Sequence, residues 1–514
     1  MRYTAGECLE VGDKRVIIGI DIGTTSTKSV AFGMDGIMLG SYAVEYPLIQ
    51  DQPGWAEQDP DIIVQSAIES VNGVLSRNGI DGTSVAGAGI SSAMHSLIAV
   101  GAGGRPLTRS ITWADGRSEH QARIIRKQPG GLDVYRRTGT PIHPMSPLSK
   151  LVWLRENQPD VWTSADKFVS IKEYLIYRLF GEWVVDHSLA SATGLLALDT
   201  LEWDEGALAI AGIDKSRLSE LRPGTYRLQG LATADAEAMG LKKNTPFFLG
   251  GSDGGMANVG VGAIGPGEMA VTIGTSAAVR MMTDKPLTDE KQRTFCYNVA
   301  KSSYIIGGAT NNGGIVLQWM RDALYAGEKS TEELLGAVSG IAAGSEGLLF
   351  LPFLTGERAP IYNSEARGTY FGMHLGHRRE HFVRAGLEGV MFAVLSVAEA
   401  LKDLAGPARE VRASGGFAKS PLWLQMLADM LGQEVQVPRV TEASALGAAV
   451  LAMQGLGEMQ DWSTIKEWTP IAHRVEPNLR DAELYRELFT VYEQLRGALP
   501  EHFASISAFQ RKHS

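Results

Sequence analysis

An apolar run followed by a small, hydroxyl-rich turn is the clearest pattern in the chain. Residues 16–21 (VIIGID) are typical of a β-strand, residues 23–25 (GTT) of a tight turn, and residues 26–32 (STKSVAF) of a returning strand. Glycine lets the backbone approach an anion, threonine donates hydrogen bonds, and the carboxylate of Asp21 can hold hydrated Mg²⁺. The pattern predicts a phosphate-holding hairpin, although an ordinary surface hairpin would use the same residues.

A second hairpin of the same kind follows about half the chain later. Residues 267–272 (GEMAVT) predict a strand, residues 273–276 (IGTS) a turn, and residues 277–281 the strand that leaves it. Both turns carry a Gly-Thr pair. Two such units suggest a duplicated architecture in which two lobes each contribute a phosphate loop to one nucleotide.

The remaining periodicity alternates between strands and helices. Asp59-Pro60 opens an amphipathic helix, residues 85–90 and 246–249 predict buried strands, and residues 381–405 predict a long helix. At 514 residues the chain is too long for one ordinary core, so an α/β fold with two lobes is expected. Glycine and proline crowd near residues 258–266, and we therefore predict lobes at 1–259 and 260–514.

Composition narrows the classes of partner. The chain is 44% hydrophobic and 21% charged, with a formal net charge of -10, which argues against a nucleic-acid or membrane-surface partner. An anionic ligand would then need a site that is locally positive. Cys8 and Cys296 lie far apart, which excludes a disulfide framework and a thiolate zinc site. Because the N-terminus lacks an apolar segment and no run of about 18 apolar residues is evident, we predict a cytoplasmic protein.

Polar and aromatic residues follow several predicted strands. Met94 and His95 come shortly after the strand at 85–90, beyond the end where ligands bind in α/β sheets. The next loop places Trp113, Asp115 and Arg117 within five residues, a mixture that suits a polyol. A turn histidine and a solvated strand end would look much the same, so both interpretations stay open.

Asp253 lies in a run of glycines, residues 250–255 (GGSDGG), directly after a buried strand. Little steric cover surrounds it, which suits a catalytic carboxylate. The same run matches GxSxG, so an α/β-hydrolase with Ser252 as nucleophile is the rival hypothesis from another class. No histidine in the chain is followed by Gly-Gly, and the hydrolase hypothesis leaves both Gly-Thr hairpins without a role.

Two other patterns are weaker. Residues 260–265 match GxGxxG, but Pro266-Gly267 and a strand follow where a dinucleotide site needs a helix. His374, His377 and His381 have spacings that could gather on one helical face and bind a metal. Basic residues surround them and no carboxylate repeats with them, which favours a solvated helix start.

Longer motifs resemble those of a known family, the FGGY carbohydrate kinases. Residues 145–157 (MSPLSKLVWLREN) resemble its first signature, and the stretch from Phe371-Gly372 through His381 to Leu387-Glu388 resembles its second. The resemblance runs from residue 16 to about residue 456. It implies a duplicated, two-lobed actin/hexokinase-like (ribonuclease H-like) fold with the site in the interlobe cleft. It also implies Mg²⁺-assisted transfer of a phosphoryl group from ATP to a sugar hydroxyl.

Several shorter sequence segments indicate which sugar the resemblance implies as the substrate. The segments SSAMHS, ITWADGRSE, RTGTPIHPMSPLSK and SIKEY are most similar to those of members that phosphorylate the sugar acid gluconate. Members that phosphorylate xylulose share the Met-His and Trp-x-Asp-Gly-Arg elements and remain the alternative. A non-catalytic or chaperone-like ATPase of the same broad fold is a third hypothesis, which the sugar-lining loops and Asp253 disfavour. A homodimer is possible.

The resemblance also implies roles for individual residues. Asp21 and Asp253 would hold Mg²⁺, and Asp253 would be the general base. The residues expected to contact the nucleotide are Thr24, Thr25, Lys28, Gly274, Thr275, Gly314, Gln318, Gly415, Gly416 and Ser420, and those expected to border the sugar are Met94, His95, Trp113, Asp115, His143 and Asp253.

A gluconate carboxylate would need a cationic or N–H partner in a protein of this net charge. The candidates from the sequence are His95, Arg117, His143 and Lys150, and His143 with Lys150 is the preferred pair.

Overall fold

The computed structural model describes residues 15–513 and shows two lobes, each built around one large β-sheet. Cys8 and the N-terminal stretch discussed above lie outside the described residues. Cys296 is buried and unbonded.

The first half of the chain forms the first lobe. Its strands are β1 (Val16–Ile22), β2 (Ser26–Gly33), β3 (Met38–Glu45), β4 (Glu57–Gln58), β5 (Val85–Ser92), β6 (Ile98–Val100), β7 (Ser110–Ile111), β8 (Lys167–Val169), β9 (Val184–Asp186), β10 (Leu196–Ala197), β11 (Glu202–Trp203), β12 (Glu220–Arg222), β13 (Arg227–Leu228) and β14 (Phe247–Ser252). Its helices are α1 (Pro60–Arg77), α2 (Glu119–Lys127), α3 (Gly131–Thr138), α4 (Pro147–Asn157), α5 (Pro159–Ser164), α6 (Ile171–Phe180), α7 (His187–Ser191), α8 (Glu205–Ala211), α9 (Thr233–Met239) and α10 (Asp253–Gly260).

The second half forms the second lobe. Its strands are β15 (Glu268–Ile273), β16 (Ala277–Thr283), β17 (Phe295–Ala300), β18 (Ser303–Thr310), β19 (Leu349–Leu351), β20 (Thr369–Phe371), β21 (Glu410–Ser414), β22 (Val435–Pro438) and β23 (Ile471–Val475). Its helices are α11 (Gly314–Tyr325), α12 (Thr331–Val338), α13 (Arg379–Ala405), α14 (Pro421–Leu431), α15 (Ala443–Leu456), α16 (Ile465–Trp468), α17 (Leu479–Ala498) and α18 (Pro500–His513).

The two large sheets share a central order of five strands. The first has the strand order β13-β14-β5-β1-β2-β3, in which β1 to β3 form an antiparallel meander and β5 and β14 run parallel to β1. The second has the order β17-β18-β16-β15-β21-β22-β23, in which β15, β16 and β18 are antiparallel neighbours, β17 is an additional edge strand, and β21 and β22 run parallel to β15. The duplicated α/β architecture predicted from the two hairpins is therefore confirmed.

Local sequence signals place several helix ends. Asp59 caps α1 by accepting the N–H groups of Asp61 and Ile62, and Pro60 is the first helical residue. The GxGxxG match begins at the end of α10 and is followed by β15, so it lacks the strand–turn–helix context of a dinucleotide site, as expected.

Helix α13 runs through the core of the second lobe. Its length and its mean hydropathy of 1.4 over 18 residues would suffice to cross a membrane, but 94% of that stretch is buried inside the protein. Its own residues Leu387, Val390 and Val394 are among the buried core residues of this lobe. Glu388 and Glu399 interrupt its apolar residues, so α13 is not an unbroken apolar run, and its burial identifies it as a core helix.

Helices α10 and α15 pack against each other and against the first sheet. Glycines permit this close approach: a Cβ at Gly19 would lie 2.0 Å from the carbonyl oxygen of Ala445, and one at Gly447 would lie 2.1 Å from that of Met256. Helix α15 thus lies in sequence between β22 and β23 of the second sheet, yet it packs on the first sheet. This packing sets the position of Asp253, the first residue of α10.

Candidate active site

The first Gly-Thr hairpin joins β1 to β2 and projects into the cleft. The N–H of Gly23 donates to the carbonyl of Ser26 at 2.9 Å, which closes the turn, and Thr25 is exposed at its tip. Lys28, the third residue of β2, has its Nζ 3.0 Å from both carboxylate oxygens of Glu442. The predicted hairpin is therefore present, its role in holding phosphate stays a prediction, and the ammonium of Lys28 is paired with an acid from the second half of the chain.

Side chains from three separate segments support this hairpin. The Tyr46 hydroxyl donates to the carbonyl of Gly23 at 2.8 Å, and Gln58 Nε2 donates to the carbonyl of Thr24 at 2.6 Å. The indole N–H of Trp113 donates to Thr24 Oγ1 at 2.9 Å. Since Trp113 also lines the cavity described below, the hairpin and the sugar-side loop are directly connected.

The second hairpin is supported by a helix start. The N–H of Gly314 donates to the carbonyl of Gly274 at 2.7 Å, and those of Gly313 and Ile315 donate to the carbonyl of Thr275 at 3.1 and 3.2 Å. A Cβ at Gly314 would lie 2.8 Å from the carbonyl oxygen of Gly274. The first turn of α11 can therefore lie against the hairpin only because it is glycine-rich.

Of the predicted adenosine-side residues, Gly314 and Gly415 lie against the second hairpin. Gly415 has φ +96°, and a Cβ there would lie 2.5 Å from the carbonyl oxygen of Ile273, whereas nothing lies within 4 Å of a Cβ at Gly416. Gln318 is exposed one turn into α11. Ser420 is the N-cap of α14, and its Oγ accepts the N–H of Trp423, so that hydroxyl has a structural partner.

Two carboxylates, Asp21 and Asp253, lie close enough to interact electrostatically. Asp21 accepts a hydrogen bond from Ser91 Oγ at 2.8 Å, and burial together with the charge of Asp253 raises the pKa of Asp21 to about 6. Burial also raises the pKa of Asp253. Two acids that destabilise each other's charge form a donor set suited to a hard cation, and Mg²⁺ takes one or two carboxylates together with phosphate oxygens. The residues present therefore fit a magnesium ion.

Asp253 begins α10, and Ser252 before it caps that helix. Ser252 Oγ accepts the N–H of Gly255 at 3.2 Å and is hydrogen-bonded to Ser188 Oγ at 2.8 Å. Ser252 is fully buried, and within residues 15–513 no histidine is hydrogen-bonded to it. A nucleophilic serine needs an adjacent base, so the hydrolase hypothesis has no support in this geometry.

A cavity of about 200 Å³ lies between the lobes and contains both hairpins in its wall. Its lining residues are Thr24, Met94, His95, Trp113, Met145, Asp253, Ser276, Ala277, Ala278, Arg280, Phe295, Tyr297, Ala309, Arg358 and Tyr362. The structure thus brings together Met94, His95, Trp113 and Asp253 from the sugar-side predictions.

The two predicted histidines are neutral and differ in position. His95 has φ +67°, and its Nδ1 donates to the carbonyl of Ala192 at 2.7 Å, which leaves Nε2 as an acceptor. Burial lowers the pKa of His95 to about 3. His143 packs edge-on against Tyr362 with ring centroids 5.7 Å apart and is not among the lining residues. Burial lowers its pKa as well, so neither ring is a cation near neutral pH.

Asp115 and Arg117 form an internal ion pair. The Asp115 carboxylate is fully buried and accepts hydrogen bonds from the Ala56 N–H and from the Arg117 N–H and guanidinium at 2.7–3.0 Å. The same guanidinium pairs with Glu57 and stacks on the Trp55 ring at 3.5 Å. Both side chains therefore brace the loop that carries Trp113, and neither lines the cavity.

Lys150 also has a structural role. Its ammonium donates to the carbonyls of His95, Ile111 and Thr112 at 2.6, 3.3 and 2.7 Å, which uses all three of its N–H bonds. The preference for Lys150 as a carboxylate partner is therefore wrong. Its actual function is to join the two loops that border the cavity.

Sequence reasoning missed two arginines and two tyrosines in the cavity wall: Arg280, Arg358, Tyr297 and Tyr362. Arg280 gave a detectable signal, because it is the single charged residue within β16 (AAVRMMT). Arg358 donates to Asn311 Oδ1 at 2.8 Å and to the carbonyl of Thr310 at 3.0 Å, and it lies over the Trp113 ring at 4.6 Å. These contacts join the sugar-side loops of the two lobes.

A larger cavity of about 1040 Å³ contains none of the predicted site residues. It lies between the lobes and is lined by segments that include His187, Gly224, Lys301 and Trp462. Judged by size alone, this cavity would be the better candidate for the active site. The smaller cavity is the candidate active site because residues of both hairpins and Asp253 line it.

The histidine cluster at the start of α13 gains a carboxylate in the structure. Glu346 approaches His374 and His377, with potential ligand atoms all within 4.8 Å of one another. The Nδ1 atoms of His374 and His377 accept backbone N–H groups at 3.0 and 3.1 Å, which leaves Nε2 of each ring for another partner. Nε2 of His377 is buried and has no hydrogen-bond partner within residues 15–513. The sequence preference for a solvated helix start over a metal site stays a prediction.

Comparison with family models matches both halves of the chain. Residues 16–260 match the N-terminal domain of the FGGY family of carbohydrate kinases, and residues 269–456 match its C-terminal domain. The two matches together cover most of the described residues.

Curated relatives align along nearly the whole chain. A gluconokinase of Bacillus licheniformis is 43% identical over 97% of this chain and 99% of its own length. A xylulose kinase of Bacillus subtilis is 28% identical over 97% of this chain and 100% of its own length.

Solved structures agree closely in fold. A gluconate kinase from Lactobacillus acidophilus superposes with a TM-score of 0.92 at 36% identity, covering 96% of this chain and all of that one. A ligand-bound xylulose kinase from the same organism has the same TM-score and coverage at 37% identity. The chain is thus similar from end to end to proteins that differ in their named sugar.

Proposed function

We propose that this chain, which belongs to the FGGY family of carbohydrate kinases, transfers the γ-phosphoryl group of ATP to the 6-hydroxyl of D-gluconate. Membership of that family makes the protein a phosphotransferase with an alcohol group as acceptor and ATP as its donor substrate. The products are 6-phospho-D-gluconate and ADP. Xylulose kinase activity is the second candidate, since a xylulose kinase structure is as similar as a gluconate kinase structure.

The observation that carries the choice of sugar is the difference in identity between full-length relatives. Identity to the curated gluconokinase is 43%, against 28% for the xylulose kinase, over the same share of this chain. The cavity supports the same choice, because it contains two arginine side chains and one carboxylate in a protein of net charge -10.

In this proposal Asp253 is the general base. It lies in the cavity wall, and its raised pKa improves its ability to accept a proton from a hydroxyl. The attacking oxygen then loses its proton to the Asp253 carboxylate as the bond to phosphorus forms and the bond to the ADP oxygen breaks. Protein catalysis of phosphoryl transfer is mostly positioning and charge stabilisation, so the acceptor hydroxyl must be held in line.

The two hairpins would hold the phosphates from opposite sides. Thr24 and Thr25 donate from the first lobe, Gly274 and Thr275 from the second, and the N-terminus of α11 adds its positive dipole end behind the second hairpin. Because each lobe supplies one hairpin, closure around both substrates would assemble the site and exclude water. Gly314, Gln318, Gly415, Gly416 and Ser420 are proposed to border the adenosine.

Asp21 and Asp253 would hold Mg²⁺, which when bound neutralises charge on the transferring phosphates. Met94, His95 and Trp113 would border the sugar, with Nε2 of His95 accepting from a hydroxyl. Asp115 and His143 are proposed to act indirectly, through the Trp113 loop and through Tyr362. The lobe boundary at 259/260, a cytoplasmic location and a possible homodimer remain predictions.

The test is a comparison of acceptors with the purified full-length enzyme. ADP release from Mg-ATP is measured with D-gluconate, D-xylulose and glycerol, and the phosphorylated carbon is identified by NMR. We expect gluconate to have the highest kcat/KM and the product to carry phosphate at carbon 6. Efficient turnover of xylulose without turnover of gluconate would replace the proposed substrate and leave the kinase assignment intact.

A further inference from the structure

If the substrate is a sugar acid, as proposed above, its carboxylate enters a small interlobe cavity. A carboxylate removed from water is stable only beside a cationic or N–H partner. The four partners suggested by the sequence do not provide a free cation: Lys150 and Arg117 use their donors within the protein, and His95 and His143 are neutral. Another group must serve.

Arg358 is the first of the two arginines in the cavity wall, and it is already engaged. Its Nε donates to Asn311, its Nη2 donates to the carbonyl of Thr310, and its guanidinium stacks on Trp113. Glu357 precedes it and is buried nearby. These contacts hold Arg358 as a bridge between loops.

Arg280 is the second arginine in the cavity wall, and its guanidinium is unpaired among the described residues. Within residues 15–513 no hydrogen bond or ion pair joins its guanidinium to another group, and its Nε and Nη1 atoms are shielded from solvent. Such an orphaned cation is costly to bury, and native proteins rarely retain one without a reason. A ligand anion in the cavity would supply the missing partner.

The strand that carries Arg280 gives it a defined place. In β16, Ala278 and Arg280 both line the cavity, as expected for alternate residues that share one face of a strand, and Ser276 and Ala277 line it at the hairpin end. A strand rises about 3.3 Å per residue, so the backbone of Arg280 lies roughly 13 Å from Ser276 in the phosphate hairpin. Gly307, paired with Arg280 across the sheet, has no side chain to block the guanidinium.

The other wall beside Arg280 is the start of α10. A Cβ at Gly254 would lie 3.0 Å from Arg280 Nε, so glycine leaves room for the guanidinium there. Arg280 and Asp253 face each other closely enough to interact electrostatically, but they do not form a salt bridge. Substrate can therefore lie between the general base and the free guanidinium.

We propose that Arg280 is the receptor for the substrate carboxylate, so that this side chain selects a sugar acid over a neutral ketose or polyol. A guanidinium presents planar donors that match a carboxylate, and charge-assisted hydrogen bonds of this kind are stronger than neutral ones. The phosphoryl end of the reaction lies at the hairpins, and the acid end lies four strand residues away.

The test compares acceptors that differ only at the acid end. D-gluconate and D-glucitol share one carbon chain, but glucitol has a hydroxymethyl group in place of the carboxylate. The wild type, Arg280→Met and Arg280→Lys are assayed with both acceptors at saturating Mg-ATP. Arg474→Met, on exposed strand β23, is the matched control for loss of an arginine.

We expect Arg280→Met to lower kcat/KM for gluconate by roughly 10- to 100-fold, the scale of one hydrogen bond to a charged group. Turnover of glucitol and the KM for ATP should change less than twofold, and Arg280→Lys should recover part of the loss. Gluconate alone should also raise the melting temperature of the wild type and not of Arg280→Met. This melting-temperature measurement reports gluconate binding even if the variant turns over too slowly to assay.

Two results would overturn the proposal while leaving the gluconokinase function intact. Equal losses with gluconate and glucitol would mean that Arg280 acts on the phosphoryl group or on the fold. An unchanged gluconate KM in Arg280→Met would mean that it does not contact the acid. A wild type that phosphorylates xylulose and not gluconate would instead overturn the proposed function, and the carboxylate assignment with it.

Discussion

The two Gly-Thr hairpins differ in length, with four residues between the last paired strand residues of the first and three in the second, and they are held in different ways. In the first, the carbonyls of Gly23 and Thr24 accept from the side chains of Tyr46 and Gln58. In the second, the carbonyls of Gly274 and Thr275 accept from backbone N–H groups at the start of α11. One turn therefore depends on distant side chains, and the other on a helix that follows in the same lobe.

This difference indicates a division of labour. The first hairpin lies beside two acids, Asp21 and Asp253, and its Thr24 is hydrogen-bonded to Trp113 of the sugar-side loop. The second adjoins glycines and a helix dipole, which suit a nucleotide. Changes near the first hairpin should thus affect chemistry and the sugar, and changes near the second should affect ATP.

The largest expected effect is on the first side. Asp253→Asn should preserve folding and the KM for ATP but lower kcat by roughly 10² to 10⁴, the usual contribution of a general base. Steady-state kinetics and thermal melting would measure both. Ser252→Ala is the neighbouring control: it removes a helix cap worth about 1 kcal/mol and should leave kcat within a fewfold. Near-normal turnover of Asp253→Asn would remove this residue from the mechanism.

On the second side, Gly314→Ala should raise the KM for ATP by roughly 10-fold. The new Cβ would lie 2.8 Å from the carbonyl oxygen of Gly274, and relieving such overpacking costs about 1–3 kcal/mol. The KM for the sugar should change little. Gly336→Ala, where nothing lies within 4 Å of the new Cβ, is the matched control. A larger effect on the sugar than on ATP would contradict the division of labour.

The acid pair predicts how turnover depends on pH. The raised pKa of Asp21, about 6, means that its carboxylate is protonated below that pH and cannot hold a cation. At limiting Mg²⁺, kcat/KM should fall about 6-fold from pH 6 to pH 5, the loss of ionised Asp21 expected for that pKa, and added Mg²⁺ should move the midpoint to lower pH because metal and proton compete. If the midpoint of the pH profile did not change with the Mg²⁺ concentration, Asp21 would be excluded as a Mg²⁺ ligand.

The same shift has a consequence for stability. The folded state binds the Asp21 proton more tightly than the unfolded state, whose carboxyl titrates near pH 4. This group therefore makes the free energy of unfolding decrease as pH rises from about 4 to about 6. Denaturant titrations without Mg²⁺ should show that the decrease is smaller in Asp21→Asn. An identical pH profile in the variant would contradict the assigned pKa.

The smallest effect concerns the link between the first hairpin and the sugar. Trp113→Phe keeps the ring under Arg358 but removes the hydrogen bond to Thr24, worth about 1 kcal/mol. We expect kcat/KM for gluconate to fall roughly 5-fold, while the melting temperature changes by less than about 3 °C. Trp319→Phe, an exposed tryptophan on α11, should have no such effect on the sugar. Equal effects from both variants would argue against the link.

The hairpins, the capped helices and Asp253 could be predicted because their signals are local. A Gly-Thr turn between apolar runs, Asp59 before Pro60, and Ser420 before Pro421 each act within a few residues. The role of Lys150 could not be predicted in this way. Its three acceptors lie 38 to 55 positions away, in loops whose proximity depends on the whole first lobe.

The α/β class, the duplication and the candidate acids follow from the sequence, since hydrophobic periodicity and turn chemistry are short-range properties. Which charged groups are available to a ligand depends on how the folded chain packs. Arg117 and Lys150 lose their donors to neighbours, whereas Arg280 keeps its donors free in the cavity wall. The physical reason is that hydrogen-bond satisfaction depends on which distant segments pack together, and residue type alone does not encode that packing.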